Sequence, residues 1–252
     1  MEDICDTWTQ KSRNLPIVGN LFDKIDSYVD GCLSDLDNIM EKFTKDWWKL
    51  WNKLKKVMGT SAGFTWLPEY LIFQTIKRYL ENELKSKFLE QKQNKTKVVV
   101  CDFVLNYHGK EIVLGHNAIY DEYKEGKRSP RPDIILRINN KTIVIFEVKV
   151  GMDKNIIEHT SKSLEKLLKK CDWLKDPKVY IVYFSEKLWT KDSKAKYQLN
   201  LLFNKGVKFI ACNKFWEDNK ERKMLPKQSK ISLKEALEEV LKIIKEVEML
   251  KV

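Results

Sequence analysis

The sequence is poor in the residues on which many catalytic sites are built. Its three histidines, His108, His116 and His159, show no HExxH spacing, and no GxGxxG or Walker-type glycine–lysine loop occurs. Zinc proteolysis, dinucleotide binding and an ATP motor therefore lack a motif. The histidines next to turns read as surface residues. Five cysteines, Cys5, Cys32, Cys101, Cys171 and Cys212, are odd in number and far apart. That spacing suggests neither a disulfide framework nor a CxxC metal knuckle, and it argues against an iron–sulfur cluster. A reducing cytoplasm is the expected compartment. No apolar run approaches the roughly 18 residues of a spanning helix. The opening MEDICDTWTQ is too acidic and polar for a secretory signal. A soluble protein with no membrane span is expected, and nothing points to a small-molecule cofactor.

What the chain has in excess is positive charge. Its 47 Lys and Arg residues against 36 Asp and Glu give a formal charge of +11, which favours a polyanionic partner such as nucleic acid or an anionic membrane surface. The same Lys- and Glu-rich, Gly- and Pro-poor composition also fits surface ion-pair networks. With 43% hydrophobic residues over 252 positions, the chain has enough apolar material for a sizeable core.

Residues 21–57 alternate apolar and charged positions at helical spacing and predict two helices. In the second, Phe43, Trp47, Trp48 and Trp51 share a broad face opposite Lys45, Lys49, Lys53 and Lys56. That stripe fits an interfacial membrane helix or a base-stacking platform, and equally an aromatic face packed on the rest of the protein. Residues 59–63, GTSAG, read as a linker. A helix with Pro68 in its first turn follows and dissolves into the polar run 90–97. Residues 98–107 and 111–114 predict a strand pair, and 134–138 with 142–150 predict a hairpin. A helical segment around Leu164, Leu167 and Leu168 comes next, then strand 179–184, helix 192–203, strand 207–212 and a terminal helix 232–250. Ser232 and Glu235 are spaced as a capping box for that last helix. The order defines an α/β architecture whose later strands are joined by helical crossovers.

The segment RPDIILRINNKTIVIFEVKV, residues 131–150, carries the chemistry. Its second strand is apolar on both faces until Glu147 and Lys149. Charges confined to the far end of a buried strand belong where the sheet opens to solvent. By strand alternation Ile143, Ile145, Glu147 and Lys149 are expected on one face. Asp133 leads into the preceding strand, 14 positions before Glu147, a separation compatible with a hairpin. Whether Asp133 and Glu147 meet depends on a register that spacing does not set. Two converging carboxylates suit a divalent cation with hard oxygen ligands, Mg²⁺ with Mn²⁺ as substitute, and Lys149 suits orientation of a water or stabilisation of charge on a phosphate. The competing reading is an exposed Glu147–Lys149 edge pair with Asp133 as a turn residue. The loop that leads to Asp133 adds Lys124, Lys127, Arg128 and Arg131 as candidate DNA-phosphate contacts, or as a solvated connector. Lys162, Lys166, Lys169 and Lys170 on the next helix read mainly as a solvated face.

Pro132-Asp133 followed by Glu147-Val148-Lys149 resembles the motif of the PD-(D/E)XK nuclease superfamily, with a literal match at its four fixed positions. The resemblance spans residues 67–212. It implies a restriction-endonuclease-like core with a mixed central sheet flanked by helices, here at 61–215, between an N-terminal helical region (1–60) and a C-terminal helical extension (216–252). It also implies a Mg²⁺-dependent endodeoxyribonuclease, foremost of the type II restriction kind, with Asp133 and Glu147 as metal ligands and Lys149 assisting the attacking water. Glu69 falls where the superfamily often adds a further acid and metal ligand; an acidic residue in a first helical turn is also explained by the helix dipole. DNA is the implied partner, and cutting both strands implies a homodimer. A structure-specific resolvase, repair or viral nuclease, or a non-catalytic nucleic-acid-binding protein retaining the fold, are the alternatives.

Overall fold

Seven strand-forming segments assemble into one mixed sheet in the computed structural model, which describes residues 16–58, 66–95, 98–116, 132–139, 141–170, 177–187, 192–222 and 225–247. Helices α1 (Pro16–Cys32), α2 (Leu36–Met58) and α3 (Trp66–Leu84) precede it. Strands β1 (Leu89–Lys95), β2 (Val98–Tyr107), β3 (Lys110–His116), β4 (Ile134–Ile138) and β5 (Lys141–Lys149) then run antiparallel, each beside the last. Helix α4 (Lys154–Lys170) crosses to β6 (Lys178–Tyr183), and α5 (Ser193–Asn204) crosses to β7 (Lys208–Ala211); both strands are parallel to β5. Helices α6 (Asn213–Arg222) and α7 (Leu233–Glu246) complete the described chain.

The expected α/β class with a mixed sheet is present. β1 and α6 were not expected. The polar sequence of β1, LEQKQNK, has neither the alternation nor the β-branched content that marks a strand. It is held by backbone pairing along the whole of its length to β2.

Because β4, β5 and β6 are buried on both faces, the sheet separates two apolar layers. On one face Leu114, Leu136, Val144 and Phe146 pack with side chains from α1, α2, α3 and α7. On the other, Ile135, Ile145, Ile181 and Phe209 pack with α4 and α5. The N-terminal helices and α7 therefore share one core with the sheet. Each fully buried large apolar side chain contributes roughly 1.5–3 kcal/mol.

The tryptophan stripe of α2 belongs to that core. Trp47 is 1% exposed and stacks on Phe43, Trp48 is half-buried against the same cluster, and the Trp51 side chain lies outside the described residues. The packed-face reading of the stripe therefore holds for Trp47 and Trp48. Phe43 also meets Phe184 edge-on with ring centroids 5.4 Å apart, which places α2 against the end of β6. Among the described residues no helix is long and apolar enough to cross a membrane.

Both ends of α7 are closed by specific groups. At its start the Glu235 N–H donates to Ser232 Oγ (3.1 Å) and the Ser232 N–H to Glu235 Oε2 (2.7 Å), the expected capping box. At its end Lys110, buried at the start of β3, donates from Nζ to the Ile244 carbonyl (2.7 Å) and the Lys245 carbonyl (3.2 Å). A cation there donates to carbonyls of the last helical turn and complements the negative end of the helix.

Replacement of Ser232 by Ala is expected to cost about 1 kcal/mol, read as a lower melting temperature. The Ser232 N–H bond holds the Glu235 carboxyl below its ordinary range. Its contribution is therefore present above the ordinary glutamate value and is lost as pH falls through the lowered native value. Glu235→Gln should melt below wild type at neutral pH, with a deficit that narrows on acidification.

Candidate active site

The β4–β5 turn begins with Asn139 at φ 46°, a left-handed conformation that asparagine tolerates better than most residues. Its backbone N–H donates to the Glu111 carbonyl (2.9 Å) and its Oδ1 accepts the Glu111 N–H (3.0 Å), so β3 anchors the turn. From this turn the strands pair Ile138 with Lys141 and Arg137 with Thr142, then shift register, so that Leu136 pairs with Val144, Ile135 with Ile145 and Ile134 with Phe146. Ile143 is the extra residue of a β-bulge.

That single residue decides the site. Continuing the shifted register sets Asp133 opposite Glu147; the unshifted register would have set it opposite Phe146. The bulge also corrects the expected face of Ile143. It packs against the same cluster as Val144, while Ile145 lies in the opposite layer.

Three of the motif side chains converge. Lys149 Nζ donates to Asp133 Oδ2 at 2.9 Å and to Glu147 Oε2 at 2.8 Å, and the Val148 N–H donates to Asp133 Oδ2 at 2.7 Å. The Phe184 N–H donates to the Lys149 carbonyl (2.8 Å), fixing the backbone that carries the ammonium. With side chains 14%, 10% and 19% exposed for Asp133, Glu147 and Lys149, the cluster is not a solvated surface pair. The exposed-edge reading is thereby excluded.

Burial, and then the charge of Asp133, push the Glu147 carboxyl up to about 7 against the opposing pull of Lys149. The Lys149 ammonium is desolvated, which disfavours its charge, but the Glu147 and Asp133 carboxylates outweigh this and raise its value. Lys149 is accordingly a fixed cation at neutral pH, while Glu147 lies close to its titration point.

Glu69 lies in the first turn of α3, as expected, and its Oε2 is 3.0 Å from His116 Nε2. His116 is 3% exposed, correcting its reading as a surface residue. Burial drives its imidazole well below the usual histidine range, so the ring is neutral at physiological pH. A carboxylate only accepts, which assigns the hydrogen of the pair to Nε2. His116 pairs in register with Ile134, next to Asp133. The fold thus brings Asp133, Glu147 and Lys149 together and pairs Glu69 with His116 at the neighbouring strand end. No three-ligand cluster of His, Cys, Asp or Glu forms among the described residues. Sequence periodicity offered one signal for His116: it ends the strand whose inward positions include Ile112 and Leu114.

Lys124, Lys127, Arg128 and Arg131 lie outside the described residues. Of the α4 lysines, Lys162 is exposed and pairs with Glu158 (2.8 Å), and Lys166 is exposed, in keeping with a solvated face. The string GTSAG at 59–63 also spells GxSxG. A nucleophile elbow needs a strand before it and a helix after it, whereas this string follows α2, so that pattern carries no catalytic weight here.

The Asp133–Glu147 pair has the donor type that a divalent cation takes, with two acidic ligands and no third among the described residues. Its opposed carboxylates supply hard oxygen donors, and their mutual repulsion contributes to the raised Glu147 value. No protein-family model matches the chain, and no curated protein shows significant similarity to it.

The raised Glu147 value carries a sign for stability. Its native carboxyl holds a proton more tightly than the unfolded chain does, so stability falls as pH rises from 4.5 to about 7. In metal-free buffer, Glu147→Gln should gain melting temperature relative to wild type across that window, with a constant difference above it.

Proposed function

We propose that the protein is a Mg²⁺-dependent endodeoxyribonuclease that hydrolyses phosphodiester bonds at the Asp133–Glu147–Lys149 site, foremost an enzyme of the type II restriction kind. The observation that carries this reading is the opposition of Asp133 and Glu147 across β4 and β5, with the Lys149 ammonium within 3 Å of both. The excess positive charge of the chain, +11, agrees with a polyanionic substrate.

Asp133 and Glu147 would hold the cation, which supplies polarisation of the phosphate and acidification of a bound water. The protein's own contribution is preorganisation. The Val148 N–H holds Asp133 in place, so this carboxylate need not reorient during the reaction. Lys149 presents a permanent positive charge toward the negative charge that develops on a phosphate as a nucleophile adds. Glu147, whose carboxyl is raised by burial and by the charge of Asp133, would take up the cation as a carboxylate and give up its proton on doing so. The layers on both faces of β5 keep the surroundings apolar and strengthen these interactions.

Plasmid, linear and four-way-junction DNA incubated with Mg²⁺ or Mn²⁺ should be cut, and chelation by EDTA should abolish cutting. Asp133→Ala and Lys149→Ala should lower the rate by about 10²–10³ while circular dichroism still reports a folded chain. Discrete fragments from linear DNA would identify a restriction-type enzyme, and selective cutting of junctions a structure-specific one. DNA binding without metal-dependent cleavage of any substrate would leave a non-catalytic binding protein and sink the hydrolase reading.

A further inference from the structure

The ammonium of Lys149 stands at the point on which the two acids converge. Its Nζ donates to Asp133 Oδ2 at 2.9 Å and to Glu147 Oε2 at 2.8 Å, one oxygen from each carboxylate. Strand alternation brings this about. Glu147 and Lys149 follow Ile145 at alternate positions of β5, and Asp133 stands two residues before Ile135, so all three side chains leave the sheet on the side of α4 and α5. The Val148 N–H, 2.7 Å from Asp133 Oδ2, holds that acid at the strand end. With the three side chains 10–19% exposed, little water is left to solvate their charges.

A divalent cation of the Mg²⁺ kind bound by the same two oxygens would meet them at about 2.0–2.1 Å, inside the space that Nζ fills. The ammonium and the metal ion cannot share that space, and where water is scarce their like charges repel over a longer range still. Formal charge gives the sequel. Two carboxylates and one ammonium carry one net negative charge; a divalent cation turns this into one net positive charge, and one phosphodiester returns it to zero. A phosphate is thus the partner that a displaced ammonium would gain.

We propose that Lys149 is the exchangeable cation of the site: in metal-free solution its ammonium bridges Asp133 and Glu147, a divalent cation displaces it, and it then turns to the phosphate of the substrate. The inference deepens the nuclease reading and rests on it for the phosphate. The alternative arrangement leaves the ammonium in place and seats the cation on the outer oxygens, Asp133 Oδ1 and Glu147 Oε1. The inner oxygens are favoured because they are the pair that converges on one atom.

Two readouts other than turnover decide it. The full wild-type chain is acylated briefly with an amine-reactive ester at fixed pH, in EDTA or in Mg²⁺, and modification of each lysine is read by peptide mass spectrometry. Lys149 should be modified several-fold faster in Mg²⁺, while Lys234, exposed on α7, keeps its rate. A mixed-sequence duplex added with the Mg²⁺ should slow Lys149 again, and more than it slows Lys234. Mn²⁺ binding is titrated by electron paramagnetic resonance at mildly alkaline pH, where protons compete least for the carboxylates. Lys149→Met, of similar length and without charge, should bind Mn²⁺ roughly tenfold more tightly than wild type, equivalent to about 1.4 kcal/mol.

Equal modification of Lys149 in EDTA and in Mg²⁺, at metal concentrations that fill the site in the Mn²⁺ titration, would overturn the exchange and leave the cation on the outer oxygens. Mn²⁺ affinity equal to wild type or weaker in a folded Lys149→Met would overturn it as well, and so would the absence of Mn²⁺ binding from both proteins. Where circular dichroism shows the variant unfolded, the wild-type labelling decides alone. Protection of Lys149 no greater than that of Lys234 overturns the turn toward phosphate. Metal-dependent DNA cleavage with unchanged Lys149 labelling removes the exchange alone. Exchange without cleavage of any DNA removes the hydrolase alone.

Discussion

Two carboxylates face each other across neighbouring strands in a setting largely withdrawn from water, and an ammonium group stands between them. Removing either charge type from such a cluster leaves its partner uncompensated at a cost of several kcal/mol. The arrangement therefore depends on Lys149 staying protonated, which the two carboxylates ensure. It also depends on a backbone held still, and hydrogen bonds to the Asp133 carboxylate and the Lys149 carbonyl accomplish that. Glu147 bears the remaining strain, visible as a carboxyl raised to about 7.

The rest of the molecule secures that geometry. Two apolar layers clamp β5, leaving its far end as the place where charge is tolerable. The extra residue Ile143 brings the two acids level, and the anchored turn at Asn139 determines where the shifted register begins. Helix α2 reaches the same sheet end through Phe43 and Phe184, and α3 brings Glu69 to His116 there. The strand ends that carry Asp133 and Lys149 and the strand end that carries His116 lie at one end of the sheet.

Much of this was legible in residue order. The buried strands announced themselves as continuous Ile, Val and Phe, the crossovers as a change of period, and the start of α7 as Ser232 with Glu235 three positions on. Asp133, Glu147 and Lys149 stood out because charge interrupts an apolar run at the end of a strand. Three features did not announce themselves. β1 is polar and is stabilised by a partner strand rather than by its own composition. His116 looked like a lone histidine beside a turn, since its burial depends on α3 closing over β3. Lys110 carried no sign of its task, because the carbonyls it satisfies belong to residues more than a hundred positions away.

Sequence by itself determined most of the local preferences: which segments other than β1 and α6 are strands or helices, which runs are apolar, and where charge interrupts them. It also determined the excess of positive charge. Tertiary structure alone decided the register of β4 against β5, since an alternating pattern is satisfied equally by neighbouring pairings until a bulge and an anchored turn choose one. It alone decided the layer in which Ile143 lies and the partner of Glu69. Each of these depends on contacts between residues distant in the chain, and such contacts are defined by packing rather than by spacing.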